Sequence, residues 1–222
     1  MNVIFPGIDH CFDTTESFVN TVVIENPTLF ANILNDISGQ ICGYEGKFVV
    51  SEHNKVLRTD KTAELLTEFF PFEINRKPLI TKIIAKLEQK AIYGDNYAET
   101  VELLGRISDY LTKLSLDFSC DINYTKLDIG AIIKASGVMI EDDCDFLCEK
   151  IINYIQLVTE FDREKLFITV NLRFFVDNKE AEEFMKTVLG HGFHVILLEG
   201  AEHELLRPEK RYIIDRDLCE IC

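Results

Sequence analysis

The chain of 222 residues contains no tryptophan, so its aromatic core has to come from tyrosine and from phenylalanine, which is abundant at 16 residues. No apolar run approaches the roughly 20 residues that a membrane-spanning helix needs. The opening segment, Met1-Asn2-Val3-Ile4-Phe5-Pro6, has no basic region ahead of an apolar one. It therefore does not read as a signal peptide, and a cytoplasmic protein with no membrane partner is expected. Internal repeats, low-complexity tracts and Gly/Ser linkers are also missing. The motifs of several enzyme classes are absent too: no G-x-x-x-x-G-K-S/T or G-x-G-x-x-G phosphate loop, no G-x-S-x-G elbow and no H-E-x-x-H. Gly190-His191-Gly192 follows a helical pattern and precedes a strand pattern, the reverse of what a phosphate loop requires. An intact nucleotide site is not expected, and neither is an enzyme.

What is present is ordinary for a globular fold: 47% apolar and 27% charged residues. The formal charge is −15, which excludes a uniformly basic nucleic-acid binder but not a locally basic surface. The seven cysteines are scattered and odd in number, and in a reducing compartment they read as buried or free thiols. Cys219-x-x-Cys222 is half of a zinc pattern. Its second half would have to come from Cys144 and Cys148, or from His191, His194 and His203, without the second tight pair of a structural zinc site. His10, His53 and His203 fall in expected loops or turns, where solvated histidines are the ordinary reading. The acidic run Glu141-Asp142-Asp143-Cys144-Asp145 precedes a helix, where negative charge complements the macrodipole.

Strands are expected over Asn2–Phe5 and Thr21–Glu25. Asn26 then caps a helix with Pro27 in its first turn and Leu29, Phe30, Ile33, Leu34 and Ile37 on one face. Lys47–Glu52 and Lys55–Thr59 form a hairpin about His53-Asn54. From about residue 60 the pattern turns to long helices. One carries Leu79, Ile80, Ile83, Ile84 and Leu87. The next carries Leu104, Ile107, Leu111 and Leu114, with Gly94-Asp95-Asn96 as the turn between them. A short helix over Asp128–Lys134, a strand over Val138–Glu141 and a helix from Cys144 to Thr159 follow. Buried strands at Phe167–Val170 and His194–Leu198, a helix over Lys179–Leu189 and a last strand at Arg211–Asp215 complete the chain. This alternation implies right-handed crossovers and a mainly parallel sheet flanked by helices. The expected fold is an α/β head over residues 1–60 and 136–222 with an all-helical leg inserted at 61–135.

One stretch runs against the overall charge. Arg76, Lys77, Lys82, Lys86 and Lys90 face the single acid Glu88, and Lys82, Lys86 and Lys90 recur every fourth residue on one helix face. Lys55, Arg58 and Lys61 form a second basic group, diluted by Asp60. A solvated helix face would look the same.

Several segments in order carry a resemblance: Ile132-Ile133-Lys134-Ala135-Ser136-Gly137-Val138-Met139-Ile140-Glu141, then Cys148-Glu149-Lys150 with Ile155-Gln156. Leu166 to Asn171, Val195 to Glu199, Tyr212 to Asp217, and near the start Asn2 to Pro6 and Val22 to Glu25 continue it. Together they resemble the CRISPR-associated adaptation proteins of type II-A systems, the Csn-two family, closely through 121–222 and more loosely through 45–120. The resemblance implies a head like a nucleotide-binding fold without a working phosphate loop, and a helical leg. It implies a homotetrameric ring that binds double-stranded DNA ends without catalysis. That ring would support spacer acquisition in antiviral defence together with the CRISPR integrase proteins and the effector nuclease. On that reading Lys55, Arg58, Lys82, Lys86, Lys90 and Lys134 are the expected DNA-binding residues. The resemblance further implies calcium near Asp121 to Asp128. Asn123, Thr125 and Lys126 stand where family members often have carboxylates, so a weakened site using Asp121, Asn123 and Asp128 is expected. Two other readings stay open: a protein-interaction scaffold with no direct DNA role, and a metal-dependent hydrolase using head carboxylates.

Overall fold

The computed structural model of the chain describes residues 1–124 and 127–221. The chain divides into two compact units, one built from Met1–Ile74 together with Asp142 onward, the other from Asn75–Glu141. The sequence had suggested joins at 60/61 and 135/136, whereas the division falls at 74/75 and 141/142.

The α/β unit begins with β1 (Asn2–Ile4), β2 (Cys11–Asp13), β3 (Val19–Ile24) and α1 (Pro27–Ile41). Then come β4 (Val49–Glu52), β5 (Lys55–Val56), the single turn α2 (Thr59–Thr62) and β6 (Ala63–Leu66). Helix α1 starts as its sequence dictates: the Asn26 side chain accepts from the Thr28 and Leu29 amides at 3.1 and 3.0 Å, with proline at the first helical position. His53 and Asn54 both have positive φ, 47° and 61°, the backbone a tight two-residue hairpin requires. They set Glu52 opposite Lys55. The expected strand to Thr59 stops at Val56, because β5 is an edge and the chain turns into α2.

The helical unit holds α3 (Lys77–Ile92), α4 (Tyr97–Leu114) and α5 (Ile129–Ala135), with Asp128 capping α5 through the Ala131 amide at 2.8 Å. The expected strand at Val138–Glu141 is absent. Among the described residues no strand pairs with it. Instead the Asn75 side chain holds Ile140 through both backbone groups, at 2.7 and 3.0 Å.

The chain then forms α6 (Leu147–Thr159), β7 (Leu166–Val170), α7 (Asn178–His191), β8 (His194–Glu199), β9 (Glu209–Ile214) and β10 (Glu220–Ile221). Six strands make one sheet in the order β10-β9-β3-β8-β7-β6. β9, β3, β8, β7 and β6 are mutually parallel, and β10 folds back antiparallel on β9. All residues of β3 and β7 are buried, as expected for a sheet covered on both faces. A smaller antiparallel sheet runs β2-β1-β4-β5. One core joins Phe5, Phe12, Phe48 and Val50 of the small-sheet side to Ile33 and Ile37 of α1 and to Val22, Ile196 and Leu198 of the large sheet. α6 and α7 pack against each other, and the Tyr154 ring meets Phe167 of β7 at 6.4 Å. The architecture is α/β with a mostly parallel sheet flanked by helices, with a helical unit inserted.

Candidate nucleic-acid interface

The basic stripe of the sequence lies on α3. Lys82, Lys86 and Lys90 share one face of this helix, and Glu88, two residues from both Lys86 and Lys90, falls on nearly the opposite side. Glu88 is turned to α5: a Cβ on Gly130 would lie 2.7 Å from its carboxyl carbon. The one acid of the helix is thus placed at the packing of α3 on α5. Lys86 and Lys90 are exposed and Lys82 is half-buried. Lys134 is exposed in the last turn of α5, the helix packed on α3.

The other two expected DNA contacts belong to the α/β unit. Lys55 is exposed at the hairpin. Arg58 forms a two-pronged pair with Asp60, Nε to Oδ1 at 3.0 Å and Nη2 to Oδ2 at 2.6 Å. The guanidinium hydrogen bond pulls the Asp60 carboxyl below its ordinary value. Arg58 therefore carries a compensated charge, a poorer phosphate ligand than its residue type suggested.

The strand-to-helix turn where a nucleotide-binding fold holds phosphate is closed in this chain. Only Glu25 and Asn26 separate β3 from α1. The first amides of the helix are taken by the Asn26 side chain, and the Phe30 amide is taken by the Asn26 carbonyl at 3.0 Å. No amide cradle faces outward there.

The expected calcium ligands fare no better as a set. Asp121 and Asn123 are exposed, and Asp128 spends one carboxylate oxygen on the α5 cap. Among the described residues no group of three or more His, Cys, Asp or Glu side chains could hold a metal ion. Thr125, Lys126 and Cys222 lie outside those residues. Two carboxylates and an amide fall short of the six to eight oxygens calcium takes, so the described part of the segment does not fit the ion.

Sequence reasoning missed a buried ionic network. Arg173, in the turn Leu172–Phe174, places Nη1 3.5 Å from Glu209 and donates Nη2 to Asn178 and to the Glu204 carbonyl. Arg211 holds the other side of Glu209 through Nε at 3.0 Å. The Arg173 amide donates to Glu199 Oε1 at 3.2 Å. Glu199 Oε2 stands 3.8 Å from His203 Nε2, outside hydrogen-bond range. Burial pushes the Glu199 carboxyl up to about 7, against the pull of Arg173. Burial, and then the charges of Arg173 and Arg211, lower the His203 imidazole. His203 is not the solvated loop histidine expected: its ring also packs edge-on against Phe174 at 5.0 Å. His10 departs from that expectation as well, stacking on Tyr212 at 4.8 Å. The network ties β8, β9 and the Leu172–Phe174 turn together. Its only trace in the sequence is an acid at the end of one apolar strand and at the start of another.

The class the fold defines is an α/β protein with a mostly parallel sheet, a closed strand-to-helix turn after β3 and an inserted helical unit bearing a lysine face. Residues 40–218 match the family model described as CRISPR-associated protein (Cas_Csn2). The chain belongs to that family. It is similar to the CRISPR-associated protein Csn2 of Streptococcus agalactiae, 23% identical over 212 residues covering 90% of this chain and 95% of that relative. It is also similar to the protein of the same name from Enterococcus faecalis, 21% identical over 154 residues covering 69% of each.

Proposed function

We propose that the chain is a non-catalytic, sequence-independent binder of double-stranded DNA ends that assembles as a homotetrameric ring and supports spacer acquisition in type II-A CRISPR adaptation. The observation that carries this reading is the lysine face of α3, set opposite its one acid in a chain of net charge −15. Lysines four residues apart rise about 6 Å each. Three of them span about 12 Å, the axial run of roughly four phosphates on one strand. Contacts of that kind read phosphate rather than bases, which suits a protein that must accept any sequence. Net-negative subunits hold DNA when copies of such a face converge and sum their fields.

Self-association has its own support. α4 contains no buried residue, and Tyr97, Val101, Tyr110 and Leu114 are each at least half exposed. Leu104, Ile107 and Leu111 of the expected stripe are half-buried. A helix with this much uncovered apolar surface suits a contact with another copy. Among the described residues no helix is long and apolar enough to cross a membrane, and the site of action in this reading is the cytoplasm. The integrase proteins and the effector nuclease are its partners there.

The uncovered face of α4 and the neutralised Arg58 also favour a second reading, a scaffold that binds protein only. Fluorescence anisotropy with two linear duplexes of unrelated sequence, across a salt series, separates the two. Equal affinities that fall steeply with salt are expected. No binding at low salt would overturn the DNA reading in favour of the scaffold.

A further inference from the structure

The α/β unit carries a groove opposite in character to the lysine face. It lies along the seam between the N-terminal turns of α6 and the packed helix α7, with a volume of about 560 Å³. Its apolar wall is Phe146, Ile152 and Phe184, and Phe146 is 61% exposed. Four carboxylates, Glu149, Asp177, Glu180 and Glu183, line the rest, against the single cation Lys179.

Two of these acids have internal duties. Asp177 caps α7 through the Glu180 amide at 2.8 Å, and Glu180 accepts from the Cys148 amide at 3.1 Å. Cys148 is buried, and burial together with Glu180 drives its thiol far above the ordinary range, so it contributes no charge. Glu149 and Glu183 are exposed and form no ion pair among the described residues. The groove thus offers an apolar floor between two uncompensated carboxylates, one on each helix.

We propose that this groove binds a segment of a partner protein that presents an apolar anchor residue flanked by lysines or arginines. The shape is that of a groove between two helices, which takes an amphipathic segment lengthwise. The charge selects the partner: carboxylates on both banks attract a basic segment and repel phosphate, so nucleic acid is excluded from this surface. A second copy of a chain carrying −15 is disfavoured there on the same ground. The exposed Phe146 ring adds a face on which a guanidinium stacks. This inference stands apart from DNA binding, because it rests on different residues of opposite charge.

The test uses the full chain at physiological salt. The probe is a short amphipathic peptide with Leu and Phe on one face and Lys and Arg on the other. Its counterpart carries Glu in place of every basic residue. The basic peptide is expected to bind and to slow hydrogen exchange over residues 144–153 and 177–187, while the acidic one does not bind. Glu149→Lys with Glu183→Lys is expected to weaken the basic peptide on the order of tenfold, from two reversed exposed ion pairs, and to leave DNA affinity no weaker than wild type. The proposal is overturned if neither peptide binds, if both bind equally, or if protection appears elsewhere. A doubly substituted chain with unaltered peptide affinity, or with an altered solution mass, overturns it too. The exchange map on the unsubstituted chain decides the question by itself should the substituted chain fail to fold.

Discussion

Replacing Lys82, Lys86 and Lys90 together by glutamine removes three positive charges from one face of α3 while keeping long, helix-compatible side chains. If each lysine neutralises one phosphate, the slope of log affinity against log salt falls in magnitude by about 2.7 for each chain engaged, at about 0.9 per contact. Between 50 and 200 mM salt that difference alone amounts to about 40-fold in the salt-induced loss of affinity. Anisotropy of a labelled linear duplex measures it directly, with circular dichroism confirming that the helix persists. Substituting Arg58 is a second probe: its guanidinium is committed to Asp60, so its loss should change the slope by less than the roughly 0.9 of a full phosphate contact. An unchanged slope and affinity in the triple glutamine variant would refute the placement of DNA on this face. A full-contact change of slope from Arg58 would refute the argument that Asp60 compensates it.

Glu199→Gln tests the buried network. The folded carboxyl titrates near 7, above its ordinary 4.5, so the folded state holds this proton more tightly than the unfolded one. Stability contributed by the neutral form is complete below about pH 4.5, declines as pH rises through 7, and is gone at pH 8. The glutamine variant should therefore gain on wild type between pH 4.5 and pH 8 by about 3 kcal/mol at most. Urea midpoints at both pH values measure this, and a pH-independent difference would contradict it. Asn171 sits in the left-handed region at φ 57° and accepts from the Gly200 amide at 2.7 Å. Asn171→Ala should cost about 1–2 kcal/mol, and Asn171→Gly less because the strained φ is relieved; equal losses in urea unfolding would show that φ is not the issue. Asn26→Ala should cost about 1 kcal/mol through the lost α1 cap, read from the same assay. Calorimetry should show at most a weak heat with millimolar calcium, and chelator should leave the solution mass unchanged. A tight calcium site would show that the segment around Asp121, Asn123 and Asp128 folds around the ion.

The elements legible in the sequence were those whose local chemistry and burial agree. Asn26-Pro27 marked the start of α1, and the continuous apolar runs of β7 and β8 marked central strands. β6 was illegible because Ala63-Glu64-Leu65-Leu66 has the composition of a helix. Its strand state comes from pairing in register with Leu166–Thr169, about a hundred residues away. Val138–Glu141 failed in the opposite sense: it has strand composition but no strand beside it. The lysine face was legible because helical periodicity needs only local sequence. For Arg58 the nearby Asp60 was legible as a diluting charge, but the two-pronged pairing was not, since it depends on the φ and ψ of the turn. The Arg173–Glu209–Arg211 network depends wholly on which strands lie side by side.

The central claim is that copies of this chain form a ring loaded over duplex ends through phosphate contacts. The most direct test is binding of linear against covalently closed circular duplex across a salt series, on protein whose solution mass is measured in the same buffer. A tetramer that binds linear duplex, ignores closed circles and releases steeply with salt is the predicted result. Equal binding to circles, or linear duplex held by a monomer, would contradict it.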